Sequence, residues 1–226
     1  IYVLSRWAGF SGCHSLIIAT ASQFVDDNYG ADSVSRNLAG QNICHADIRD
    51  SGYSLWGTID GEGDERVWIP YHFLPGLEGK NEEQKLVCRK DSFLAKALAQ
   101  RLSRISVSNT DFPFELGVGL HVYADTWAHQ EFSGTVDSAN NTVTRLLYNT
   151  CGSGFFDTVK NYIKGKIASK FPLGHAEALH IPDIPYVNWK SREKFTSGRN
   201  NWDEFMDASH KIFRILLMCR GNQAVD

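Results

Sequence analysis

One stretch constrains this chain more than any other: Gly117-Val-Gly-Leu-His121-Val-Tyr-Ala-Asp125-Thr-Trp-Ala-His129-Gln. Two imidazoles and a carboxylate recur at steps of four within an otherwise apolar run. Each such step turns an α-helix by about 400°, so the three side chains fall within an arc of about 80°. The neighbours Val122, Tyr123, Ala124, Trp127 and Ala128 place that helix largely inside a core. Burying three ionisable groups together is unfavourable unless a cation or a full set of hydrogen bonds compensates. A divalent cation is therefore expected, and nitrogen with carboxylate donors suits zinc, as well as iron, manganese or nickel. The outer imidazoles stand about two turns apart, too far for one ion at good geometry. Asp125 is then expected to bridge two metals, with a histidine on either side. The competing reading is a buried hydrogen-bond network without metal.

One helix supplies one wall of such a site, and other segments must supply the rest. Asp26 and Asp27 close an apolar helix, where negative charge opposes the helix dipole and a cation would relieve it. His72 stands in the apolar, proline-flanked segment Trp68-Ile-Pro-Tyr-His72-Phe-Leu-Pro-Gly76. It is either a ligand or a hydrogen-bonded core residue. The run Gly174-His175-Ala-Glu177-Ala-Leu-His180-Ile-Pro-Asp183 offers four further donors, of which His175 is favoured and Asp183 comes next. His45 has little context, and His14 and His210 read as ordinary surface or core residues.

Periodicity predicts an all-α, bundle-like single domain over residues 1–226 with long irregular loops. Ser11 is expected to cap a helix running to Asp26 and Asp27, and Asp91 one with Phe93, Leu94, Ala97, Leu98, Leu102 and Ile105 inward. A helix starting near Asp111 and Pro113 leads into the His121 segment. A stripe runs from Phe155 to Ile167, and a last helix from Trp202 stops near Gly221. Gly-rich Ser51–Glu65, polar Ser133–Thr142 and Pro-interrupted Phe171–Trp189 read as irregular. The chain starts at Ile1 without Met, so the N-terminus is expected to be truncated.

Of the 226 residues, 42% are hydrophobic and 12% aromatic, a globular composition. A net charge of -3 with no long basic run argues against a broad nucleic-acid face, though a cleft could still take a phosphate ester. The apolar stretches at Leu16–Ala21 and Ile212–Met218 are too short to cross a bilayer. Cys13, Cys44, Cys88, Cys151 and Cys219 are widely spaced and form no C-x-x-C pair. Inert thiols in a reducing compartment such as the cytoplasm are the favoured reading, with export left open by the missing N-terminus.

Several pieces resemble a family of uncharacterised bacterial proteins carrying a domain-of-unknown-function label. They are Ala8-Gly-Phe10, Gln23-Phe-Val-Asp26-Asp27, the His72 segment, His121 through Gly134, and Gly174-His175-Ala-Glu177. More distantly, the His-x3-Asp-x3-His helix is similar to the zinc-dependent phospholipase C and single-strand nuclease superfamily. That resemblance implies an all-helical fold holding a cluster of zinc ions and cleaving phosphodiesters. It further implies Asp125 as the bridging ligand, His121 and His129 as terminal ligands, Asp26 as the early-helix carboxylate and His175 as the late ligand. The nearer members of that superfamily space the last histidine two residues further along, so this chain matches looser relatives.

The function expected is a metal-dependent hydrolase, with two or three zinc ions, acting on phosphodiester bonds of a lipid or nucleotide. Asp125 acts through the metals and Asp27 takes the proton from water. Trp127 and Phe73 either hold an acyl chain or base, or belong to the core. The alternative is a helical interaction or scaffolding protein whose metal is structural, recognisable by a closed ligand shell. Neither H-E-x-x-H nor G-x-S-x-G occurs, and Cys44 beside His45 is a weak nucleophile setting.

Overall fold

The computed structural model describes residues 1–27, 65–135, 147–149, 181–190 and 194–221. Its elements are mostly helical: α1 (Tyr2–Trp7), α2 (Gly12–Asp27), α3 (Glu65–His72), α4 (Glu82–Leu86), α5 (Phe93–Leu102), α6 (Phe112–Ala128) and α7 (Asn201–Gly221). Among the described residues there are also three short strands, β1 (Leu147–Asn149), β2 (Asn188–Lys190) and β3 (Arg199–Asn200), and a 3-10 turn at Ile181–Asp183. No described helix is long and apolar enough to cross a membrane. The expected loop Ser51–Glu65, apart from Glu65, which opens α3, the stripe from Phe155 to Ile167, and His45, His175, Glu177 and His180 lie outside the described residues.

The chain divides into two compact units. The first comprises Ile1–His72, Ala97–Tyr123 and Ile212–Asp226. Its helices follow sequence signals closely. Ser11 Oγ accepts from the His14 backbone N–H at 3.1 Å, so it caps α2 as expected. The core gathers Phe10, Ile18, Val25, Leu102, Phe112, Leu116, Leu120, Ile215 and Leu216, all essentially shielded from water. Burying each such side chain contributes about 1.5–3 kcal/mol before the entropy of ordering is counted. Helix α6 meets α2 at Gly117, where an added Cβ would collide with the Ile18 carbonyl oxygen and sit 2.8 Å from Ala21 Cβ. Only glycine permits that approach, and it draws the α2 and α6 backbones together.

The second unit comprises Phe73–Lys96 and Ala124–Lys211. It contains the small antiparallel sheet in the order β1-β2-β3, with Tyr148 opposite Trp189 and Trp189 opposite Arg199. Its core holds Phe73, Val87, Cys88, Trp127, Phe132, Val187 and Trp189. At Gly134, with φ of +71°, an added Cβ would lie 2.5 Å from the Phe73 ring. Here glycine satisfies both the left-handed backbone and the close ring.

Two local expectations are corrected. Ser92, not Asp91, caps α5, its Oγ accepting from the Ala95 N–H at 3.2 Å. Asp91 instead accepts from Lys211 Nζ at 2.5 Å. Phe93 and Ala97, both expected inward, are exposed, Phe93 at 74%; α5 instead buries Ala95 together with the expected Leu102. On α7, Ala208, Ile212, Ile215, Leu216 and Cys219 are buried, while Trp202 and Met206 face outward.

Candidate metal centre

In the first unit, three of the expected ligands converge. Asp26 comes from the last turn of α2, His72 from the end of α3, and His121 from α6. His121 Nε2 lies 3.3 Å from His72 Nδ1. Asp26 Oδ1 lies 3.6 Å from His121 Nε2 and 3.8 Å from His72 Nδ1. One donor atom from each residue falls within 4.8 Å of the other two.

Those separations are informative. A hydrogen bond between nitrogen and oxygen centres on about 2.9–3.0 Å. A tetrahedral ion with bonds of about 2.0–2.1 Å spaces its ligands by about 3.3 Å. The triangle thus has edges at or slightly above those of a tetrahedral zinc face, and its donor set, two imidazoles and one carboxylate, is one zinc accepts. The two rings stand edge to face at 86°, with centroids 5.1 Å apart. Both histidines are only 7% exposed, while the Asp26 side chain is 52% exposed, so the triangle has a dry side and a wet side.

Local sequence explains the meeting. The last turn of α2 contains no basic residue, so the negative end of its dipole and Asp26 are not neutralised from within the helix. Pro70 lies inside α3 and His72 ends it. On α6, Gly117 sits one turn before His121 and sets how near α2 comes.

Asp125 and His129 belong to the second unit, with a partner that sequence ranked second. His129 Nδ1 lies 3.5 Å from Asp125 Oδ2, and His129 Nε2 lies 3.4 Å from Asp183 Oδ1. Asp183 arrives on the 3-10 turn Ile181–Asp183. The ring is therefore flanked by carboxylates on both nitrogens. Phe73 stacks on it, with centroids 4.6 Å apart and planes 17° from parallel. Phe73 and Trp127 are buried at 3% and 1% exposure, so both belong to the core and neither offers a face to an acyl chain or base.

Asp27 stands outside the convergent group. Its Oδ1 accepts from Gln23 Nε2 at 3.3 Å along the surface of α2. Among the cysteines described, Cys13 is exposed, Cys88 and Cys219 are buried, and all three are free thiols. Burial, then the charges of Asp125 and Glu131, push the Cys88 thiol far up, so it is no nucleophile.

Two residues that sequence reading missed hold the second group in place. Arg199 donates to the carbonyls of Trp127 at 2.7 Å and Ala128 at 3.0 Å, the last turn of α6. Asn201 Nδ2 donates to Ile181 O at 2.6 Å and Ile184 O at 2.9 Å, bracketing Asp183. Nothing in Gly198-Arg-Asn-Asn-Trp202 marks either contact, since both partners are backbone carbonyls far along the chain.

The chain belongs to a family of unknown function, DUF6765, whose profile matches residues 1–226. No curated protein and no solved structure matches it.

Proposed function

For a chain of this family, we propose a zinc-dependent hydrolase of phosphodiester bonds, with a lipid or nucleotide phosphoester as substrate. The observation that supports it is the convergence of Asp26 Oδ1, His72 Nδ1 and His121 Nε2 within 4.8 Å, with Asp26 half exposed. In this reading His72 and His121 present neutral nitrogens to the ion, and Asp26 supplies the negative charge. Zinc held there would supply a Lewis acid for the phosphoryl oxygen. Asp27, one residue beyond Asp26 and exposed, would serve as the general base that accepts a proton from water. His129, with Asp125 or Asp183, is the donor set for a further ion, and two or three ions per chain are proposed. The purely structural alternative calls for a closed ligand shell, which the exposure of Asp26 disfavours.

The test measures metal and turnover together. Protein purified without chelator is expected to carry zinc and to cleave bis(p-nitrophenyl) phosphate or p-nitrophenyl phosphorylcholine. Losing an outer-shell partner of a metal site costs about 10–100-fold in affinity, so His121→Ala, which removes a ligand outright, is expected to exceed that. Asp27→Asn is expected to keep its zinc and lose about 100-fold or more in kcat. Metal-free wild-type protein, or equal turnover by wild type and His121→Ala, overturns the proposal.

A further inference from the structure

We propose that Arg199 and Asn201 are positioning residues that set the His129–Asp183 pair, one by holding the end of α6 and the other by holding the 3-10 turn. Two segments distant in sequence must meet for His129 Nε2 to face Asp183 Oδ1 at 3.4 Å. Each is gripped by its backbone carbonyls, and the two grips are two residues apart on the β3–α7 junction.

The Arg199 grip is built for its task. Helix α6 has no basic residue in its last turn, so the negative end of its dipole lacks compensation from its own sequence. Arg199 supplies it from β3, its two terminal nitrogens reaching successive carbonyls, Trp127 O and Ala128 O. A planar fork does this, where an ammonium would be a single point charge. Arg199 is 4% exposed, and its guanidinium lies against the rings of Trp189 and Phe195, 5.6 and 5.2 Å from their centroids. Burial pulls its pKa down to about 10, so it is still charged at neutral pH. Its Nε is buried with no hydrogen-bond partner among the described residues. A buried guanidinium with one donor left unpaired is costly, and surface solubility would not require it.

The Asn201 grip is as specific. Its side chain is fully buried, and Nδ2 donates to Ile181 O and Ile184 O on either side of Asp183, with Pro182 O a longer third contact at 3.4 Å. Its Oδ1 accepts from Trp189 Nε1 at 3.0 Å, and its own N–H donates to Val187 O at 3.1 Å. An amide meets this pattern because it donates and accepts through one rigid group.

The inference deepens the zinc reading by naming what seats the further donor set, but its test is read on the His129 ring and not on metal or turnover. Long-range proton–nitrogen spectra of 15N-labelled protein report each ring nitrogen separately, and His129→Gln identifies the His129 signals. Arg199→Met is expected to displace both His129 nitrogen resonances, and Arg199→Lys to restore them in part. Asn201→Asp keeps the acceptor for Trp189 but loses the donors to the turn, so Nε2 is expected to move and Nδ1, which faces Asp125 on α6, to stay. Far-UV circular dichroism checks that each variant is folded. If Arg199→Met does not fold, the Lys and Asp substitutions carry the test alone. Folded variants with wild-type His129 resonances overturn the proposal, as does an Asn201→Asp spectrum in which both nitrogens move equally. Absence of zinc from the wild type would remove the hydrolase reading and leave this result standing.

Discussion

The two clusters use the same residue types and arrange them differently. Around Asp26, His72 and His121, three donor atoms from three helices point at one another, with edges of 3.3, 3.6 and 3.8 Å. Around His129, two carboxylates occupy opposite nitrogens of a single ring, at 3.5 and 3.4 Å, and the arrangement is a line. A convergent triangle can close on one ion. A line cannot offer all three donors to one ion, and each of its ends has one nitrogen and one carboxylate. Ligand-type residues alone do not make a coordination site; the backbone contacts that aim them do, and these differ between the two units.

Each cluster leans on one glycine, which gives a way to break them separately. Gly134→Ala is expected to have the largest effect. It forces a left-handed φ of +71° on a residue with a Cβ and pushes the Phe73 ring that stacks on His129. The backbone cost is about 1–2 kcal/mol, and overpacking adds about 1–3 kcal/mol. Urea unfolding should show that loss, and an unchanged midpoint would mean that the Phe73–His129 stack is not held from Gly134. Gly117→Ala should come second. Alanine gains about 1 kcal/mol of helix propensity over glycine, but the new methyl meets the Ile18 carbonyl oxygen, which is fixed in α2. Overpacking of about 1–3 kcal/mol outweighs the gain. The expected outcome is a modestly destabilised protein and, under the zinc proposal, a lower zinc affinity, because α2 carries Asp26. A variant as stable as wild type that binds zinc equally would show that the triangle does not depend on this approach.

The smallest effect sharpens the electrostatic side of the comparison. Cys88 is buried in the second unit, where burial and then Asp125 and Glu131 raise its pKa. Burial alone pushes Cys219, in the first unit, up to about 11. Peptide-resolved alkylation of native protein at pH 8 should modify exposed Cys13 first, Cys219 far more slowly and Cys88 last. Cys88 labelling as fast as Cys13 would contradict the negative, closed surroundings ascribed to it.

Much of this was legible where physics is local. The Ser11 cap, the start of α6 beside Pro113 and the end of α7 at Gly221 follow from capping, proline placement and periodicity, whereas α6 stops at Ala128, one residue short of His129, expected as its last face position. Asp26, His72 and His121 stood out because each is an ionisable group in an apolar setting. Their partition was legible only in part: helical spacing sets Asp125 beside His129, but His121 is answered by Asp26 and His72, and the far nitrogen of His129 by Asp183, all from other segments. Asp183 was visible only as a second choice on a proline-rich run. Asp91 looked like a cap because capping is judged from three residues, whereas its pairing with Lys211 spans 120. Arg199 and Asn201 were invisible for the same reason.

The last turn of α2 has a further consequence. With Asp26 at its end and no basic residue within that turn, this is where a bound cation would favour the helix through its dipole. Under the zinc proposal, thermodynamic linkage would make free zinc a stabiliser: a 100-fold excess over Kd would add about 2.7 kcal/mol to the free energy of unfolding. Amide exchange at residues 24–27 should slow as zinc is added, so that metal supply would govern how long the folded chain survives.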